Sequence, residues 1–193
     1  MILQNKATGK ILEISELGHP ILRQRASEVV DLRDKYVQNF IDDLIETCID
    51  SNGVGIAAPQ VYKSERIFII SSRPNARYPN APELGPIALI NPAITSFSEE
   101  KEKDWEGCLS IPGIRGLVPR HKTIKVKYQT RDGVLVENEF SDFIARIFQH
   151  ELDHLNGIVF LDRMESSREI ITEKEYHRLM TKEMEDRDLE KEG

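Results

Sequence analysis

The sequence predicts an α+β fold on three observations. Strand-like runs cluster in the middle of the chain, amphipathic helical stretches flank them, and the two do not alternate regularly as they would around a parallel sheet. At 193 residues the chain can bury one substantial core but not comfortably two. A single domain over residues 1–168 is therefore expected, followed by a charged C-terminal helix or tail over 169–193.

The elements follow in order. Residues 34–50, "DKYVQNFIDDLIETCID", place Val37, Phe40, Ile41, Leu44, Ile45, Cys48 and Ile49 at three-four spacing, the mark of a helix with one buried stripe. Cys48 lies on that stripe and reads as a small core residue. "RIFIIS" (66–71), "IALINP" (87–92), "TIKVKYQT" (123–130) and "LVENEF" (135–140) are β-branched or alternating runs bounded by turn formers, and read as strands. Arg131-Asp132-Gly133 predicts a hairpin between the last two. The stretch 72–86 holds four prolines in 15 residues and reads as a long exposed loop. "SDFIARIFQHELDHLNG" (141–157) resumes helical periodicity, with Ser141 as N-cap and Asn156-Gly157 as the stop. In the tail, nine acidic and five basic residues surround six apolar anchors, Ile170, Ile171, Tyr176, Leu179, Met180 and Met184, which suit a short helix lying on the body. Fraying is expected beyond Glu185.

Composition excludes several classes of function. A formal charge of −7 without a basic stripe argues against nucleic-acid binding. No apolar run approaches the roughly 20 residues that span a bilayer, so no membrane association is expected. The N-terminal "MILQNKATGKILEIS" reads as neither a signal nor a transit peptide, so a cytoplasmic location is expected. Two cysteines are too few for a disulfide framework.

The chemistry concentrates in three stretches. In "QHELDH", His150 and His154 are one helical turn apart and present two imidazoles to one side, while Glu151 sits close enough to act as general base toward a metal-activated water. Three fixed positions in five also arise by chance on a surface, and a catalytic metal site needs a third protein ligand. Cys108, in the glycine-flanked and proline-interrupted "EGCLSIPGIRG", is the best candidate. His19, His121 and His177 have no comparable surroundings; His121 reads as part of a solvated turn. In "GVGIAAPQ" (53–60), Gly53 and Gly55 offer closely approachable backbone and Gln60 an amide donor of the kind that stabilises an oxyanion. Alone, this third stretch could be no more than a tight turn.

Together and in this order, "GVGIAAPQ", "EGCLS" and "QHELDH" closely resemble the three signature motifs of the peptide deformylases, and "GHPILRQRASEV" resembles that family's N-terminal segment. The resemblance spans roughly residues 11–165. It implies antiparallel β-sheets wrapped around a central metal-binding helix and removal of formyl groups from nascent N-formyl-methionyl peptides. It implies that Cys108, His150 and His154 bind Fe(II), with Zn, Ni or Co as substitutes. Glu151 would be the base, with Gln60 and the Leu109 N–H as the oxyanion site. Gly53, Val54, Gly55, Glu106 and Gly107 match positions that line or support the family's cleft. Arg146 stands where some relatives carry an apolar pocket residue, and is expected to touch substrate. Asp153 and Arg120 read as a structural pair. The acidic tail departs from a basic ribosome-docking extension, so any ribosome proximity would be transient. Two alternatives use the same histidine helix: a zinc endopeptidase, which needs a later His or Glu as third ligand, and a structural zinc module, whose fourth ligand could come only from Cys48.

Overall fold

The computed structural model describes residues 9–74, 78 and 81–191, with side chains described as far as Lys182. Helix α1 (Lys35–Asp50) starts where Asp34 accepts a hydrogen bond from the Tyr36 N–H, and buries Val37, Phe40, Ile41, Leu44 and Cys48. Strands β1 (Gly55–Ala57), β2 (Ile67–Ser72) and β3 (Leu84–Phe97) follow, then β4 (Lys101–Cys108), β5 (Ile111–His121), β6 (Thr123–Gln129) and β7 (Leu135–Ser141). Helix α2 (Asp142–Leu155) carries the histidine motif, and β8 (Ile170–Thr172) leads into α3 (Glu173–Lys191).

All strand pairings between these elements are antiparallel, and they form two sheets. The larger has the order β1-β2-β3-β6-β7 and the smaller β4-β5-β8. β2 is buried along its whole length because α1 covers one face and α2 the other, which is why its sequence is an unbroken apolar run rather than an alternating one. β6 alternates buried and exposed residues, as expected of a strand with one wet face. The predicted hairpin joins β6 to β7, and Gly133 takes φ +82° there, a conformation that costs glycine nothing. Residues 75–77 and 79–80 of the proline-rich stretch lie outside the described residues.

Four strands carry no clear signal in the sequence. β4 is charged and mostly exposed, so it lacks the apolar pattern of a strand. β5 contains Pro112 and Pro119, which normally argue against a central strand. They are tolerated because β8 pairs only with Ile114, Arg115 and Gly116, leaving β5 one-sided at both prolines. β1 and β8 have only three residues each. Ile170 and Ile171 thus belong to a strand rather than a tail helix, while Tyr176 is buried and Leu179 stays 42% exposed. Met184 and the segment beyond Glu185 carry side chains outside those described. His121 is no solvated turn: it ends β5, half-buried, with Nδ1 2.7 Å from the Ser98 carbonyl. Ser141 holds the N-cap position of α2 in extended backbone, but its side chain makes no capping bond.

Candidate active site

Three stripes of α2 follow from its 3.6-residue period, and each meets a different surface. Ala145, Phe148 and Leu155 pack into the apolar cluster of the large sheet, where the Phe68 and Phe148 rings meet edge to face at 5.1 Å. Ile147 and Glu151 turn toward β1 and the cleft, and His154, a turn further on, is buried against Cys108. Arg146, His150 and Asp153 turn toward the small sheet, where Glu106 of β4 and Arg120 of β5 receive them.

The hairpin between β4 and β5 delivers the cysteine. Its register shifts between Glu106 and Cys108, and the chain turns at Leu109 and Ser110. Cys108 thus ends the strand facing α2, with Sγ 3.2 Å from His154 Nε2. One ligand atom each from Cys108, His150 and His154 lies within 4.8 Å of the others. A thiolate and two imidazoles suit zinc or ferrous iron on softness. Cys48, in contrast, is fully buried in the apolar cluster of α1, and burial followed by the nearby Glu151 charge pushes its thiol up to about 12. It is no fourth ligand.

His150 is held by its other nitrogen. Its Nδ1 lies 2.8 Å from Glu106 Oε2, and because Glu106 is ion-paired to Arg120 at 2.9 Å and Arg146 at 2.9 Å, the carboxylate accepts and Nδ1–H donates. The tautomer leaves Nε2 for a metal. Burial opposes charge on Glu106, yet Arg120 and His150 hold its carboxyl below the usual range. Burial likewise opposes charge on His150, and the contacts with Cys108 and Glu106 win, raising it well above its ordinary value. A metal would displace that proton. His154 is fully buried, and its pKa falls through desolvation and then through His150 and Arg120.

Glu151 is 4% exposed, and desolvation first, with the Glu106 charge adding, pushes it up to about 7. Its neighbour is bare backbone: a Cβ on Gly55 would sit 2.5 Å from Glu151 Oε1 and 2.9 Å from Ile147 Cγ2. Only glycine lets β1 pass this close. Gln60 is buried too. Its Oε1 accepts from the Ala57 N–H at 2.8 Å, which orients the amide so that Nε2 faces Cys108 Sγ at 3.4 Å and Ser110 Oγ at 3.3 Å.

An open cleft of about 560 Å³ runs over these groups. Gly53, Val54, Gly55, Gln60, Glu106, Gly107, Cys108, Leu109, Arg146, His150 and Glu151 all line it, and the fully buried His154 stands against Cys108, so the structure brings every sequence-predicted site residue to one place. Tyr78, Trp105, Phe143 and Ile147 line it as well and were not foreseen. Phe143 and Ile147 stand eight and four residues before Glu151, so helical spacing could have found them; Trp105 and Tyr78 carry no local signal. Arg120 and Asp153 do pair, at 2.6 Å, and Arg163 joins them at 2.6 Å.

The polypeptide deformylase family model matches residues 11–169. Peptide deformylase 2 of Nostoc sp. is 56% identical over 173 residues, covering 90% of this chain and 97% of that protein. Peptide deformylase 2 of Shewanella oneidensis is 47% identical, covering 80% and 84%. Among solved structures, a class I type b peptide deformylase from Acinetobacter baumannii bound to Met-Ala-Ser superposes with a TM-score of 0.78 at 47% identity, covering 80% of this chain and 98% of that one.

Proposed function

The chain belongs to the polypeptide deformylase family, and on that basis we propose how its own residues perform the reaction. It is a metal-dependent hydrolase that removes the formyl group from N-formyl-methionyl nascent peptides. Cys108, His150 and His154 hold the metal; three protein ligands with an open side are the pattern of catalytic rather than structural sites. When bound, the metal supplies Lewis acidity toward the formyl carbonyl and toward water.

Glu151 takes the proton from the attacking water. Desolvation raises its carboxyl above the usual carboxylate range, which strengthens it as a proton acceptor. As the water oxygen bonds to the formyl carbon, negative charge grows on the carbonyl oxygen, and the Gln60 amide and Leu109 N–H stabilise it by about 3 kcal/mol each when preorganised. Glu151 then returns the proton to the departing nitrogen, the C–N bond breaks, and formate and a free amino terminus leave. Gly53, Val54, Gly55, Glu106, Gly107 and Arg146 line the cleft that receives the peptide. Fe(II) is the metal we infer, with Zn, Ni or Co as substitutes; anaerobic purification with elemental analysis tests it. The enzyme works in the cytoplasm and meets the ribosome transiently.

One observation carries this reading: the three ligand atoms, the buried carboxyl of Glu151 and the oriented Gln60 amide converge on one site beneath an open cleft. The deciding assay compares formyl-Met-Ala-Ser, its acetyl counterpart and an end-blocked peptide. Formate from the first alone is expected, because an added methyl in a close-packed site costs about 1–3 kcal/mol and misplaces the carbonyl. Fragments from the blocked peptide would point to an endopeptidase instead.

A further inference from the structure

We propose that Arg146 is a positioning residue for the metal ligand His150, acting through Glu106, and that its guanidinium is not offered to substrate. The proposal rests on the assignment of Cys108, His150 and His154 as ligands. Arg146 lines the cleft, yet it is only 7% exposed. Its Nη1 donates to Glu106 Oε1 at 2.9 Å and to the Val118 carbonyl at 2.9 Å, and its Nη2 donates to the Glu102 carbonyl at 2.7 Å.

The Glu106 carboxylate makes this arrangement informative. Oε1 accepts from Arg120 Nε at 2.9 Å and from Arg146 Nη1; Oε2 accepts from Arg120 Nη2 at 3.0 Å and from His150 Nδ1 at 2.8 Å. A carboxylate has about four lone-pair positions, so four donors fill it. Arg120 by itself clamps both oxygens but leaves Oε1 with room for another donor and the carboxylate free to tilt. Arg146 takes that position and is anchored through two carbonyls, one on β4 and one on β5. The carboxylate is then fixed on both edges, and Oε2 is held at the distance His150 requires. Arg146 also precedes His150 by four residues, so both project from the same stripe of α2, and the helix and the small sheet are registered by the same contacts. Partners that orient a metal-bound imidazole typically alter metal affinity about 10–100-fold when removed.

The test uses the full chain loaded with Co(II), comparing wild type with Arg146→Met, Arg146→Lys and a control, Arg163→Met, which disturbs the Asp153 ion pair without touching Glu106. Two quantities are read: the rate at which a chelator strips Co(II), and the split between KM and kcat for formyl-Met-Ala-Ser. Arg146→Met is expected to lose Co(II) about 10-fold faster, with lower kcat and KM within about twofold, whereas Arg146→Lys falls between it and wild type and Arg163→Met matches wild type. Wild-type retention in Arg146→Met overturns the proposal, as does a raised KM with unchanged retention, which would make Arg146 a substrate contact. Should Arg146→Met fail to fold, Arg146→Gln is measured in its place, and the same two results support or overturn the proposal. Failure of wild type to bind one Co(II) per chain would instead refute the ligand assignment.

Discussion

Two faces of α2 are held by opposite means. The face toward the large sheet is apolar: Ala145, Phe148 and Leu155 fill space beside Phe68, Ile70 and Leu89, and the attraction depends on area and fit rather than direction. The face toward the small sheet is charged and buried. Arg146, His150 and Asp153 meet Glu106 and Arg120, with contacts from 2.6 to 2.9 Å. Burying ions is expensive, and such a cluster contributes little net stability even when each member is paired. What it provides is orientation, because each hydrogen bond has one good geometry. Apolar packing therefore keeps α2 in place, while the polar network orients His150.

This contrast predicts that substitutions divide into those that remove chemistry and those that remove stability. The largest effect belongs to Cys108→Ala, which should reduce bound metal from one per chain toward none and activity to background, as elemental analysis of protein purified without oxygen would record. Retention of stoichiometric metal would remove Cys108 from the ligand set. Glu151→Gln should keep the metal yet lower kcat by about 10²–10⁴-fold, and near-normal turnover would exclude it as the base. On the apolar face, Phe148→Ala should cost about 3–5 kcal/mol in denaturant unfolding. The folded fraction should hold metal as tightly as wild type; a variant that lost metal at unchanged stability would erase the distinction between the faces.

Smaller effects sharpen it. Gly55→Ala forces a methyl against Glu151 and Ile147, and overpacking of this kind costs about 1–3 kcal/mol. Since the nearest atom belongs to the carboxyl proposed as the base, kcat should fall more than the melting temperature does. Deleting residues 186–193 should leave kcat unchanged and the melting temperature within about 2 °C, equivalent to less than about 1 kcal/mol, because the segment is polar and has little to bury.

Much of this is legible along the chain because local patterns report local geometry. The spacing of His150, Glu151 and His154 points to a metal helix once Cys108 is read beside it, α1 and α2 declare themselves by periodicity, and Gly133 marks its hairpin. β4 and β5 are not legible. Strand character normally shows as apolar alternation, and here charged residues and prolines obscure it, since one strand is mostly exposed and the other is paired on one side over much of its length. Arg120 and Asp153 can be recognised as partners, but nothing along the chain hints that Glu106 stands between Arg120 and His150.

The chain alone therefore supplies the candidate groups: a thiol, two imidazoles a turn apart, a carboxylate beside them and an amide donor. These are properties of residue type and short-range spacing. How the groups are used emerges only from the packed molecule. Glu106 and Arg146 are 40 positions apart, and Gly55 and Glu151 are brought together by the packing of β1 on α2. A hydrogen bond acts over about 3 Å of space and carries no trace in the chain between its partners. For that reason Arg146 reads in sequence as a cleft residue expected to touch substrate, and only in three dimensions as a side chain bound to the carboxylate that holds His150.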